Sequence, residues 1–177
     1  VHALTKASRR LCAESVVATA LMASWIDGEE RITLQVQGSS PKWSFIADLR
    51  ADGGLRGRIT PNHVPWSAEL DAVMVAIKSN QERELYRGAT EIRGEGIAAA
   101  LRGHLASSEQ VHVALQIDGV GAKGWLVERL PGDDGRPAMT AEAFDERFAE
   151  AKSPPEDVEI LVERDLVWSC TCSSEKV

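Results

Sequence analysis

A chain of 177 residues, 44% of them hydrophobic, is long enough for one well-cored domain with a short appendage. Its net charge of −7 and pI near 5.2, with Lys and Arg scattered along the sequence, exclude a nucleic-acid or anionic-membrane partner, because counterion release needs a concentrated basic footprint. The long apolar stretch from Val16 to Ile26 is broken by Thr19 and Ser24 and closed by Asp27, too short and too polar to cross a bilayer, so a soluble protein is expected.

Leu4, Ala7, Leu11, Cys12, Ser15, Thr19 and Met22 recur at helical spacing, with Lys6, Arg9, Arg10 and Glu14 on other faces. This predicts an amphipathic helix of about five turns, ending near the turn signal Asp27-Gly28. Arg31 to Gln37 alternates, with Ile32, Leu34 and Val36 on one side, as a half-buried strand does. After the turn residues Gly38 to Pro41, Trp43, Phe45, Ala47 and Leu49 alternate again as far as Asp52-Gly53-Gly54, a hairpin signal. Leu55 to Thr60 is the third strand, Pro61 to Pro65 a loop, and Ala72 to Ile77 and Leu85 to Ile92 a further pair, so the first half is expected to be antiparallel sheet.

Glu95 to Ala106 changes period, with Ile97, Ala98, Leu101 and Leu105 at helical spacing in an alanine-rich segment. Val111 to Ile117 and Gly124 to Leu130 then form another strand pair around the glycine-bearing Asp118 to Gly121. Beyond the turn-rich Pro131 to Pro137, Thr140 is placed to cap a short helix carrying Ala143, Phe144 and Phe148. Ser153-Pro154-Pro155 reads as a linker, since proline disfavours helix at and before its own position. A boundary is expected between Pro131 and Pro155, and Val158 to Trp168 fits a strand, a short helix, or a segment ordered by its neighbours.

Few of the residue types that carry catalysis are arranged for it. The four histidines, His2, His63, His104 and His112, fall in different predicted elements, none with the local partner of a motif such as H-E-x-x-H. Ser8, Ser107 and Ser108 lack a glycine-flanked nucleophile elbow. Gly119 to Gly124 is glycine-rich but has neither phosphate-binding spacing, so a hairpin turn is the simpler reading. Cys12 lies on the apolar face of the first helix, where a free cysteine behaves as a small hydrophobe.

Cys170 and Cys172 differ from Cys12 in their setting. They sit in the polar, small-residue stretch Ser169 to Ser174, with Lys176 near enough in sequence to favour a thiolate. Two thiolates one residue apart can share a soft metal ion or be oxidised, but a structural zinc site takes four ligands. The spacing alone is equally compatible with an exposed tail carrying two incidental cysteines. Nothing in the residues ahead of the first helix resembles the basic-apolar-small pattern of a signal peptide, and three cysteines do not make a secreted disulfide framework, so a reducing cytoplasm is the expected setting. Because the sequence starts at Val1 and enters almost directly into a helical pattern, an upstream segment is expected.

Several phrases taken together point to one family. They are Gly28 to Gly38 (GEERITLQVQG), Leu55-Arg56-Gly57-Arg58, Tyr86-Arg87-Gly88, Gly94 to Ala98, Ser107 to Gln110 leading into Val111 to Leu115, Gly124 to Pro131, and Cys170-Thr171-Cys172-Ser173. In order and approximate spacing the chain resembles the redox-regulated heat-shock chaperones called the thirty-three-kilodalton chaperonin. The resemblance implies an α+β fold: an antiparallel β-sheet core packed with helices (residues 1–138), a linker (139–168) and the start of a zinc-binding C-terminal module (169–177). It further implies an ATP-independent holdase for unfolded proteins, not an enzyme, in which four cysteines hold zinc when reduced. Oxidation forms disulfides, releases the metal and loosens the linker, and a homodimer is expected in the oxidised state. On this basis Cys170 and Cys172 are the redox-active and metal-ligating residues.

The chain departs from the family pattern in three places: the segment before the first helix is missing, the linker is shorter and holds Pro154-Pro155, and the second cysteine pair, C-x-x-C, is absent. Two other functions stand as alternatives. One is thiol-disulfide exchange at the C-x-C pair, which would have to close a strained, very small ring. The other is an interaction module that has lost redox control.

Overall fold

A computed structural model describes residues 4–39, 42–61, 71–94, 96–132, 139–154, 156, 158–160 and 165–169. Helix α1 spans Lys6–Leu21 and tightens into a 3-10 turn over Met22–Trp25. Its N-cap is Thr5, whose hydroxyl accepts from the Ser8 N–H. Strands β1 (Arg31–Ser39), β2 (Lys42–Arg50), β3 (Gly54–Thr60), β4 (Asp71–Ser79) and β5 (Glu84–Arg93) follow. Then come α2 (Gly96–His104), the hairpin β6 (Val113–Asp118) and β7 (Lys123–Glu128), α3 (Ala141–Phe148) and the two-residue β8 (Val167–Trp168).

The main sheet has the order β5-β4-β1-β2-β3-β8, antiparallel throughout except that β8 runs parallel to β3. Its inner face is assembled by alternation. Leu34 lies opposite Ala47 and Ala76, and Val36 opposite Phe45 and Met74. The helices lie on this face, α1 against β1, β2 and β3, and α2 against β5. The β6–β7 hairpin closes over the helices from the far side, touching α1 with both strands and α2 with β6. Leu11, Ala18, Ile97, Leu101, Leu105, Val113 and Leu115 complete a core in which polar side chains are few. The α+β class and the antiparallel core are as the sequence predicts.

The differences are at ends of elements. α2 stops at His104 and continues as one wide π-helical turn, Leu105–Glu109, instead of running on as α-helix to Ala106. There the Ser107 hydroxyl donates to the Gly103 carbonyl, a bond that competes with the helical ladder, and Gln110 ends the turn in the left-handed region (φ 56). Val111 donates its N–H back to the Leu105 carbonyl and so belongs to this cap, which delays β6 until Val113.

Candidate functional site

The predicted site residues Cys170 and Cys172 lie outside the described residues. What the structure does show is how the chain approaches them. Val167 donates its N–H to the Gly53 carbonyl at 2.9 Å, and Ser169 donates to the Leu55 carbonyl at 2.8 Å, so the segment ahead of the cysteines is laid as a sixth strand along the edge of the sheet. Gly53 has φ +85, and a Cβ there would run into the Asp165 carbonyl oxygen. Glycine is needed both for the turn and for this close approach. The residues of the added segment remain largely exposed: Leu166 is 41% exposed, Val167 62% and Trp168 58%.

A second feature is an apolar groove of about 560 Å³ between the end of α1, strand β7, helix α3 and the residues leading to β8. Leu21, Trp125, Leu130, Met139, Phe148 and Ile160 provide its apolar lining. Among the described residues, the charged side chains that line it, Glu128, Arg129, Arg147 and Glu159, balance in sign. α3 forms one wall because Phe144 and Phe148 stack one turn apart, centroids 4.6 Å, on the side turned to the hairpin. Phe144 meets the His112 ring edge-on at 5.3 Å, and Phe148 lies 6.2 Å from the Trp125 ring. His112 Nε2 is also 2.8 Å from the Asp145 carboxylate, and the Arg129 guanidinium donates to the Met139 carbonyl at 2.9 Å, fixing the approach to α3.

The histidines do not converge. His2 and His63 lie outside the described residues, and His112 is engaged by α3. His104 is fully buried, with Nδ1 3.2 Å from the Thr90 hydroxyl and Nε2 3.4 Å from that of Tyr86. Burial pushes its pKa below the ordinary value, opposed in part by the charge of Glu109. Cys12 is half-buried against the core, and burial raises its thiol pKa, the environment of an inert thiol. Among the described residues no group of three or more His, Cys, Asp or Glu side chains could hold a metal ion. Nor is any helix among them long and apolar enough to cross a membrane.

The sequence does not reveal the groove, because its walls come from α1, β7, α3 and the approach to β8, which are distant in the chain. Nor does it decide the fate of Val158 to Trp168. The run Leu166-Val167-Trp168 has β propensity, which is a signal for β8, but its parallel partner is Gly54–Leu55, far upstream in the sequence, and leaves no local trace.

A family model described as Hsp33 protein matches residues 1–177. Among curated relatives, a 33 kDa chaperonin of Syntrophotalea carbinolica is 30% identical over 200 residues, which take in 92% of this chain and 68% of the relative. One from Bacillus cytotoxicus is 24% identical with the same coverage, and one from Shewanella loihica is 24% identical over 99% of this chain and 69% of the relative. Among solved structures, that of a 33 kDa chaperonin, a heat shock protein 33 homolog from Thermotoga maritima, matches with a TM-score of 0.68 at 18% identity, covering 98% of this chain and 71% of that one.

Proposed function

Since the chain belongs to the Hsp33 family, we propose that this chaperone is an ATP-independent holdase, which binds unfolded proteins under oxidative stress and prevents their aggregation. The observation that carries the reading is the apolar groove. A concave surface lined by Leu21, Trp125, Met139, Phe148 and Ile160, with no excess of one charge among the described residues, suits apolar segments of many sequences better than one polar substrate. Met139 adds adaptability, because its unbranched thioether side chain moulds to different partners. The gain on capture is hydrophobic burial, which needs no nucleotide. Capture by surface also accords with a protein that is not an enzyme, working in the cytoplasm.

Cys170 and Cys172 are the redox-active thiols of this proposal. Zinc fits the pair in chemical type, since thiolates are among its preferred ligands, but not in number, since a closed site takes four. The other two donors would come from outside the described residues, or from a second copy of the chain. When bound, the metal would hold both sulfurs as thiolates. Independently of it, the pair is attached through Ser169 and Val167 to the edge of the main sheet, so a change at the thiols has a short path to the fold. A homodimer is proposed for the oxidised form.

The test is light scattering of a heat-denatured client without ATP, with the protein reduced and then oxidised. Suppression of aggregation by the oxidised form, reduced by at least half in a Cys170→Ser, Cys172→Ser double variant, is the expected outcome. Failure of both redox forms to suppress scattering would refute the holdase reading.

A further inference from the structure

The edge of β3 is covered by a segment held through its main chain. Val167 and Ser169 donate to Gly53 and Leu55, while Leu166, Val167 and Trp168 leave much of their side-chain surface in water. Little apolar burial therefore secures β8, and what secures it can be supplied by any extended polypeptide. The strand beneath is built more deeply into the fold. Leu55 and Ile59 are buried, and β3 is registered against β2 from Thr60 opposite Ser44 to Leu55 opposite Leu49. Because successive residues of a strand present their N–H and C=O to alternate sides, Gly57 and Ile59 face the same edge as Gly53 and Leu55. Among the described residues, β8 pairs only with Gly54 and Leu55, leaving the edge at Gly57 and Ile59 without a strand partner.

We infer that the β3 edge is a second client-binding element: an extended segment of an unfolded protein adds to it as a strand, in the place that residues 165–169 occupy in this structure. The inference rests on the holdase reading and extends it to a different chemistry. Unfolded proteins share no side-chain sequence, but all carry a main chain with unpaired donors and acceptors, which an open sheet edge recognises. Gly53 fits this role, since the absence of a side chain admits the incoming backbone to the start of the strand, as it now admits Asp165. β8 then acts as a built-in competitor that blunts an otherwise sticky edge.

The experiment uses the full 177-residue chain and a permanently unfolded client, reduced and carboxymethylated. Val167→Pro removes the donor to Gly53, and Ser169→Pro, the second variant, removes the donor to Leu55. Each should bind the client about fivefold more tightly, the worth of one hydrogen bond of the competing segment. Trp168→Ala keeps those bonds and should change affinity less than twofold. With client present, hydrogen exchange at the Gly57 and Ile59 amides should slow at least tenfold. A client that binds with no added protection at Gly57 and Ile59, and equally well to the wild type and both proline variants, overturns the β3 inference and leaves the holdase reading intact. No client binding by any of these proteins, together with unsuppressed scattering, overturns both.

Discussion

His104 shows what a single buried polar side chain does here. Its imidazole is wedged between Tyr86 and Thr90, and Gly88 lies so close that a Cβ would strike both the Tyr86 hydroxyl and the ring. The neutral ring gives one donor and one acceptor to two hydroxyls that can play either part. Burial disfavours the imidazolium, so the folded pKa lies below the ordinary value and the unfolded chain takes up the proton first. Stability from this site is therefore fully present above the ordinary histidine pKa and is lost as pH falls through it towards the depressed folded one. The urea midpoint should fall between pH 7.5 and 5.5, and His104→Gln should flatten that dependence. At pH 7.5, His104→Ala should cost about 2 kcal/mol by stranding the two hydroxyls and opening a cavity. An unchanged pH profile in the glutamine variant would assign the dependence to other groups.

Elements differ in how much of their stability is their own. α3 has 8 residues, too few to persist alone, and is held by its Thr140 cap and by Phe144 and Phe148. The cap is local and was legible from Thr140 followed by the spaced phenylalanines. Phe148→Ala should remove about 3 kcal/mol of local packing. Hydrogen exchange over Ala141–Phe148 should then approach that of an unstructured segment while β1 and β2 keep their protection, and the groove should lose client affinity because one wall has gone. Thr140→Ala is milder, about 1 kcal/mol, through loss of the bond from the Ala143 N–H. α2 illustrates the opposite limit: its start and face follow from Ile97, Leu101 and Leu105, but its wide last turn comes from Ser107 bonding back to Gly103, a competition that residue spacing does not show.

At the scale of the whole molecule the core is one continuous structure linking the main sheet, α1, α2 and the hairpin. Leu34 is at its centre, fully buried, with the small Ala47 and Ala76 on either side. Such neighbours cannot fill a void, so Leu34→Ala should lie high in the usual range, about 4 kcal/mol, and lower the cooperative unfolding midpoint of all elements together in a denaturant titration. Metal content tests the other end of the chain. Native mass spectrometry should show zinc lost when Cys170 and Cys172 are both replaced by serine; one zinc per two chains would mean that two C-x-C pairs share it, and one per chain that further donors lie elsewhere. The amino-acid sequence by itself determined strands β1 to β7, the helical segments α1 and α2, the α3 cap and the family, because alternation, helical spacing and capping act over a few neighbouring residues. Only the tertiary structure decided that Leu21, Trp125, Phe148 and Ile160 line one groove and that Val167 joins the edge of β3. Those placements depend on loop closure and main-chain pairing between distant segments, for which no local pattern of side chains is required.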